Sequence, residues 1–277
     1  MKSFFIVTEF VIYLIGFGLL YYLIRRQSCK NICQSLGWNG LMFFSFVGTP
    51  LHELGHFLFC VLFRHKISSV SLFSPIKGRE TGEIGCVVHS YNKKSLYQKA
   101  GNFFIGIAPM IFGVGTILLL TKSMYPDYIA SVIPKASGTI DILFLKDIAY
   151  NLLLNINIIF NLSNLSTINF WIYLYLVTSI ALNMSISLQD LKNCFSGILQ
   201  LFIVSAITIF FISGYVSPES LINALSSGLY FMVFGLFFGF IILLLITIFS
   251  YILLFTKQLF TKIKQNIKLN INTTDTL

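Results

Sequence analysis

A chain of 277 residues that is 56% hydrophobic and 10% charged, with a mean hydropathy of +0.83, holds more apolar surface than one water-soluble core can hide. Composition excludes an ordinary soluble domain and predicts an all-α polytopic membrane protein that resides in the lipid bilayer. The net charge of +9 would suit nucleic acid, but the basic residues fall in predicted loops and in the tail, where they set membrane orientation, so no nucleic-acid partner is expected.

Apolar runs of about 20 residues, enough to cross roughly 30 Å of hydrocarbon, lie near 4–24, 38–63, 102–121, 166–184, 198–214 and 228–256. They predict about six transmembrane helices. The first run is too long for a signal-peptide core and ends in Tyr21, Tyr22, Arg25 and Arg26 instead of a small-residue cleavage site. It reads as a retained span, so that residues 1–37 form a first helix and a loop. Cys29 and Cys33 lie in that loop and would share a face, open to metal or redox chemistry, if it were helical; the five cysteines contain no CxxC pair, and the plainer reading is unpaired thiols.

The second run opens a core region over 38–195 and contains the pentapeptide His52-Glu53-Leu54-Gly55-His56. Ionisable side chains are expensive in such surroundings and are read as functional by default. On a helix, residues four apart project from one face, so His52 and His56 can aim at a single metal ion, with Glu53 beside them as a general base. Zinc suits two neutral imidazoles and one oxygen ligand and leaves a fourth position for water, so Zn2+ is the expected cofactor. At about 1.5 Å per residue, His52 lies roughly 21 Å from residue 38 and roughly 16 Å from residue 63. Thr49 and Pro50 predict either a kink or the start of a shorter helix, with Thr49 as its cap.

In the loop after the second run, Ile67–Phe73 and Gly82–Ser90 are β-prone and are separated by the turn-like cluster Ser74-Pro75-Ile76-Lys77-Gly78, which predicts a small β-hairpin. In the third run Gly101, Gly106, Gly113 and Gly115 should allow close approach to a neighbour, and Pro109 should bend the helix. Between Asp141 and Asn164 an apolar stretch is interrupted by Asn151, Asn155, Asn157, Asn161 and Asn164, so it reads as an interfacial or partly buried helix. Directly after the fourth run comes Asp190, the candidate third metal ligand. Asp127, Asp141 and Asp147 belong to the opposite side, and Glu80, Glu83 and His89 rank lower because they sit in the polar loop. The plainer reading of Asp190 is a solvated helix cap beside Lys192. Residues 196–277 supply the last helices and a basic tail, Lys257–Leu277, which should rest against anionic headgroups. With an even number of spans, Lys2, the loop 64–101, Lys192 and the tail share one side and carry most of the Lys and Arg, so both termini are expected to be cytoplasmic in a bacterial cell membrane.

Thr49 to Phe59 (TPLHELGHFLF), Ala100 to Gly113 (AGNFFIGIAPMIFG) and Asn183 to Asp190 resemble, in order, the site-2 protease family of intramembrane zinc metalloproteases. The resemblance implies His52, His56 and Asp190 as zinc ligands, Glu53 as catalytic base and Asn183 as an aid to substrate or oxyanion. Gln189-Asp190-Leu191 stands where the family commonly reads Leu-Asp-Gly, and no PDZ-like insertion is present, as in a compact, divergent member. The implied activity is hydrolysis of membrane-anchored protein or peptide substrates, held in extended form by strand addition to the hairpin at Val87 and His89, the alternative being a hairpin with a structural role alone. The competing reading is a non-catalytic zinc-binding scaffold or transporter component. Intact Glu53 speaks against it, because binding alone needs no base.

Overall fold

The computed structural model describes residues 2–126, 142–212 and 214–274. It is predominantly helical, in the order α1 (Lys2–Ser45), α2 (Gly48–Leu62), β1 (Lys66–Ser71), α3 (Pro75–Thr81), β2 (Cys86–Ser90), α4 (Leu96–Met124), α5 (Ile142–Ile159), α6 (Leu162–Leu165), α7 (Ile168–Asn183), α8 (Leu188–Ile212) and α9 (Pro218–Thr274). Among the described residues, three helices are long and apolar enough to cross a membrane: α4, α8 and the stretch Glu219–Ile267 of α9. They correspond to the third, fifth and sixth expected spans and suggest a membrane protein; α7, the fourth, is a shorter apolar helix of 16 residues.

The expected loop between the first two spans is corrected, but not the place of the break. Residues 25–36 are helical, and α1 consists of two helices that meet in a kink at Gly37, whose φ of 75° favours glycine, next to the expected start of the second run at residue 38. Cys29 and Cys33 therefore lie on this helix, and all five cysteines are free. The long second span is replaced by the end of α1, a turn at Phe46 and Val47, and the 15-residue α2. Pro50 explains the boundary, since it lacks the N–H an uninterrupted helix would need and sits comfortably in a first turn. The cap is not Thr49. Val47 occupies the N-cap without a side-chain bond, and the free N–H groups of Val47 and Gly48 donate to Ser179 Oγ of α7, at 3.3 and 2.9 Å.

At the centre of the bundle, α4 packs mainly against α8 and α2, while α1 packs along α9. Of the apolar window in α4, 56% is buried, against 11% in α8, so α8 presents Leu199, Phe210 and Phe211 outward, as a lipid-facing helix does. Within α4, Gly101, Gly106 and Gly113 do meet neighbours (Phe63, α8 and Met184), but Gly115 faces open space. The asparagine-rich α5 is partly buried as expected. Asn151 Nδ2 donates to Tyr230 OH (2.9 Å), and Asn155 donates to the Asn151 carbonyl.

β1 and β2 pair antiparallel, from Lys66 opposite Ser90 to Ser71 opposite Cys86, with a bulge between Ile67 and Ser69. The connection is longer than a turn, because Pro75 starts the short helix α3, anchored by Trp38 Nε1 to the Pro75 carbonyl (3.1 Å). The basic tail continues α9 instead of leaving it, and Lys257 Nζ donates to the Gln34 carbonyl at 2.6 Å. Asp127 and Asp141, expected on the side opposite the metal ligands, lie outside the described residues.

Candidate metal centre

His52 and His56 stand one turn apart on α2, and each ring is held from behind. His52 Nδ1 lies 2.7 Å from the Asn183 carbonyl at the end of α7; His56 Nδ1 lies 2.8 Å from the Ile105 carbonyl in α4. A carbonyl oxygen only accepts, so both Nδ1 atoms carry the proton and both Nε2 atoms present bare lone pairs. The two Nε2 atoms face each other at 3.2 Å, and Asp190 Oδ1 comes to 3.5 Å from His56 Nε2. Three electron-pair donors thus converge with no proton of their own to share, an arrangement that calls for a cation. Donors on a tetrahedral zinc stand ~3.3 Å apart, close to these spacings. The three ligand atoms lie within 4.8 Å of one another, a group that could hold a metal ion.

Broken helices provide the backbone partners. Within an ideal α4 the Ile105 carbonyl would receive the N–H of residue 109, but that residue is Pro109 and has none. The carbonyl freed by the proline accepts from His56. Similarly, the last carbonyls of α7 have no intrahelical donors: Leu182 O receives Arg25 Nε (2.9 Å) and Asn183 O receives His52. Asp190 serves twice. It forms a capping box at the start of α8, with Oδ2 accepting Ser187 N–H (2.9 Å) and Ser187 Oγ accepting Asp190 N–H (3.1 Å), while Oδ1 faces His56. The cap reading and the ligand reading of this residue are compatible.

A cavity of about 660 Å³ opens on this group, with Glu53 and Asp190 on the helical side and β2 across from them. Glu53 is 7% exposed and lies against Gly85, where an added Cβ would come within 2.7 Å of Glu53 Cγ. Val87 and His89 both line the cavity. Burial, followed by the neighbouring His65 and His56, pushes the His89 imidazole down to about 4, so it is neutral near pH 7. Asn102 also lines the cavity and donates to Ser196 Oγ of α8 at 3.0 Å. Glu83 sits at the cavity edge; neither it nor Glu80 joins the three donors.

Asn183 does not line the cavity. Its Oδ1 accepts from Thr49 Oγ1 (3.2 Å) and Arg25 Nη2 (3.3 Å), and its Nδ2 donates to the Ser179 carbonyl (2.9 Å). With its amide so engaged, Asn183 contributes to the centre through the backbone oxygen that orients His52. Arg25, assigned to a loop on sequence grounds, is the residue that sequence reasoning missed here. Its only signal was a charge within reach of an apolar helix. Cys60, four residues beyond His56 on the same face, was the other overlooked signal.

Comparison with protein-family models, with curated proteins and with solved structures finds no match.

Proposed function

We propose that this chain is an intramembrane zinc metalloendopeptidase of the site-2 protease type, hydrolysing peptide bonds of membrane-anchored proteins in regulated intramembrane proteolysis. The observation that carries the reading is the convergence of two carbonyl-locked imidazoles and one carboxylate beside a buried glutamate on the wall of a cavity. His52, His56 and Asp190 would hold the ion. When bound, zinc supplies Lewis acidity toward a carbonyl and toward water.

The remaining chemistry belongs to the chain. Glu53 takes a proton from the attacking water as its oxygen bonds to the substrate carbonyl carbon, and delivers that proton to the amide nitrogen as the C–N bond breaks. Arg25 and Thr49 hold Asn183, and Asn183 holds His52. The Asn183 side chain reaches an oxyanion only by leaving Ser179, so orientation of His52 is its first task. β2 has one strand partner, β1, among the described residues. Its second edge is available to an extended substrate at Val87 and His89, with backbone pairing to supply the affinity.

Glu53→Gln tests the reading against a metal-binding scaffold. In cells making the full chain, fragments of membrane proteins should accumulate with the wild type and be absent with Glu53→Gln, while purified variant and wild type hold equal zinc. Removal of a general base costs about 10²–10⁴ in rate. An identical fragment pattern from the variant would discard the protease and leave the scaffold.

A further inference from the structure

A second set of soft and borderline donors lies one turn further along α2, outside the proposed catalytic triad. Cys60, His65 and His89 offer ligand atoms within 4.8 Å of one another. Cys60 is fully buried, His65 is 6% exposed and His89 is half-buried on β2. The convergence is built by the backbone. At the end of α2 the chain reverses through Arg64, the one described non-glycine residue with positive φ (57°), and the His65 N–H returns to the Cys60 carbonyl at 2.8 Å. This six-to-one bond is that of a Schellman turn, which normally employs glycine at the left-handed position. The turn sets His65 back over Cys60 at a conformational cost, and such outliers cluster where geometry serves function.

The tautomers add direction. His65 Nε2 lies 2.8 Å from the Gln98 carbonyl, which can only accept, so the proton is on Nε2 and Nδ1 presents its lone pair to His89. Fixing one ring nitrogen on a backbone carbonyl is how metal-ligating histidines are oriented. That Nδ1 stands 3.1 Å from His89 Nδ1, near the ~3.3 Å edge of a tetrahedral zinc site. The first turn of α4 braces the arrangement, Tyr97 OH donating to the Leu62 carbonyl (2.8 Å) and Gln98 Nε2 to the Arg64 carbonyl (2.9 Å). His89 lines the large cavity, which provides an entry path.

We propose that Cys60, His65 and His89 form a second divalent-cation site, selective for a borderline-soft ion such as zinc, that fastens the β-hairpin to the catalytic helix. One thiolate and two imidazoles suit that class of ion, and three protein ligands leave one position for water. On binding, the Cys60 thiol proton goes to solvent, and the His89 proton that faces His65 moves from Nδ1 to Nε2 of the same ring. The site cross-links α2 to β2, the strand that forms the far wall of the cavity.

Titration of the purified full chain with Co(II) alone tests this. The wild type should take two equivalents and develop a near-ultraviolet thiolate-to-cobalt charge-transfer band, because the His52, His56 and Asp190 group contains no sulfur. His52→Ala/His56→Ala should keep the band and one equivalent, which separates this site from the proposed catalytic one. Cys60→Ser should lose the band and one equivalent. His89→Gln, a change on a partly exposed strand, should also lose one equivalent, and it reports independently should Cys60→Ser fail to fold. A single equivalent without a charge-transfer band in the wild type would overturn the proposal, as would a band that survives Cys60→Ser.

Discussion

Two donor groups occupy successive turns of α2, and they are assembled by opposite means. His52, His56 and Asp190 are brought together by long-range packing: the imidazoles are locked by carbonyls of α7 and α4, and the carboxylate arrives with the cap of α8. Cys60 and His65 are brought together by one local turn, with only His89 arriving from the hairpin. A centre that depends on packing against three other helices is rigid and fails when packing fails. One that depends on a turn and a two-stranded sheet can shift with the hairpin.

The largest separation of the two should come from Asp190. Asp190→Ala removes the oxygen 3.5 Å from His56 Nε2 together with the carboxylate half of the capping box of α8, while Ser187 Oγ still accepts the backbone N–H of residue 190. Zinc analysis should show the first equivalent gone and cleavage abolished, with the Cys60 group still loaded, and stability lowered by about 1 kcal/mol for the lost acceptor of the Ser187 N–H. Asp190→Asn keeps a cap acceptor but no charge, so it should lose the same zinc with little change in melting temperature. Full zinc content in both variants would remove Asp190 from the ligand set.

A smaller and more selective effect is expected at Pro109. In Pro109→Ala the backbone regains an N–H that bonds the Ile105 carbonyl, in competition with His56 Nδ1. The helix should become more stable while the first group loses about 10-fold or more in zinc affinity, the usual scale for disturbing a partner behind a ligating histidine. The Cys60 group has no contact with that carbonyl and should keep its affinity. Competition with a metal-sensitive dye, with and without Cys60→Ser, measures the two separately; equal weakening of both would show that the groups are not independently built.

The legible and the illegible parts of the sequence divide along the same line. The i, i+4 histidines, the helix start at Pro50, the two β-prone runs and the placement of Asp190 beside the fourth apolar run all follow from local periodicity or from residue chemistry, and the structure brings the first three donors into one group. The course of α1 was not legible. Hydropathy reports where lipid contact should end, and the polar stretch 25–37 ends it; helix propensity in Arg-Arg-Gln-Ser continues regardless, and the hydrogen bonds that reward Arg25 come from residue 182 onward. The use of the Ile105 carbonyl was half legible, since Pro109 announces a freed acceptor four residues earlier but not which donor will claim it. The Cys60 and His65 pairing was hidden because the turn that creates it places arginine where a reader looks for glycine.

That turn offers the finest test. Arg64 holds φ at 57°, a conformation that costs an L-residue about 1–2 kcal/mol over glycine. Arg64→Gly removes the penalty and leaves intact the carbonyl that Gln98 Nε2 bonds, so the folded chain should gain about 1 kcal/mol in thermal or denaturant unfolding. The flexible residue also releases the unfolded chain, which offsets part of the gain. If the turn exists to set His65 over Cys60, glycine preserves that geometry and the second equivalent of Co(II) should bind as in the wild type. A residue that tolerates only right-handed conformations, as in Arg64→Val, should instead open the Cys60 carbonyl bond, swing His65 away and lose that equivalent while the first group, three helices distant in its construction, is unmoved. Retention of both equivalents in Arg64→Val would separate the strained turn from metal binding and leave the strain to be explained by the packing of α4 against the end of α2.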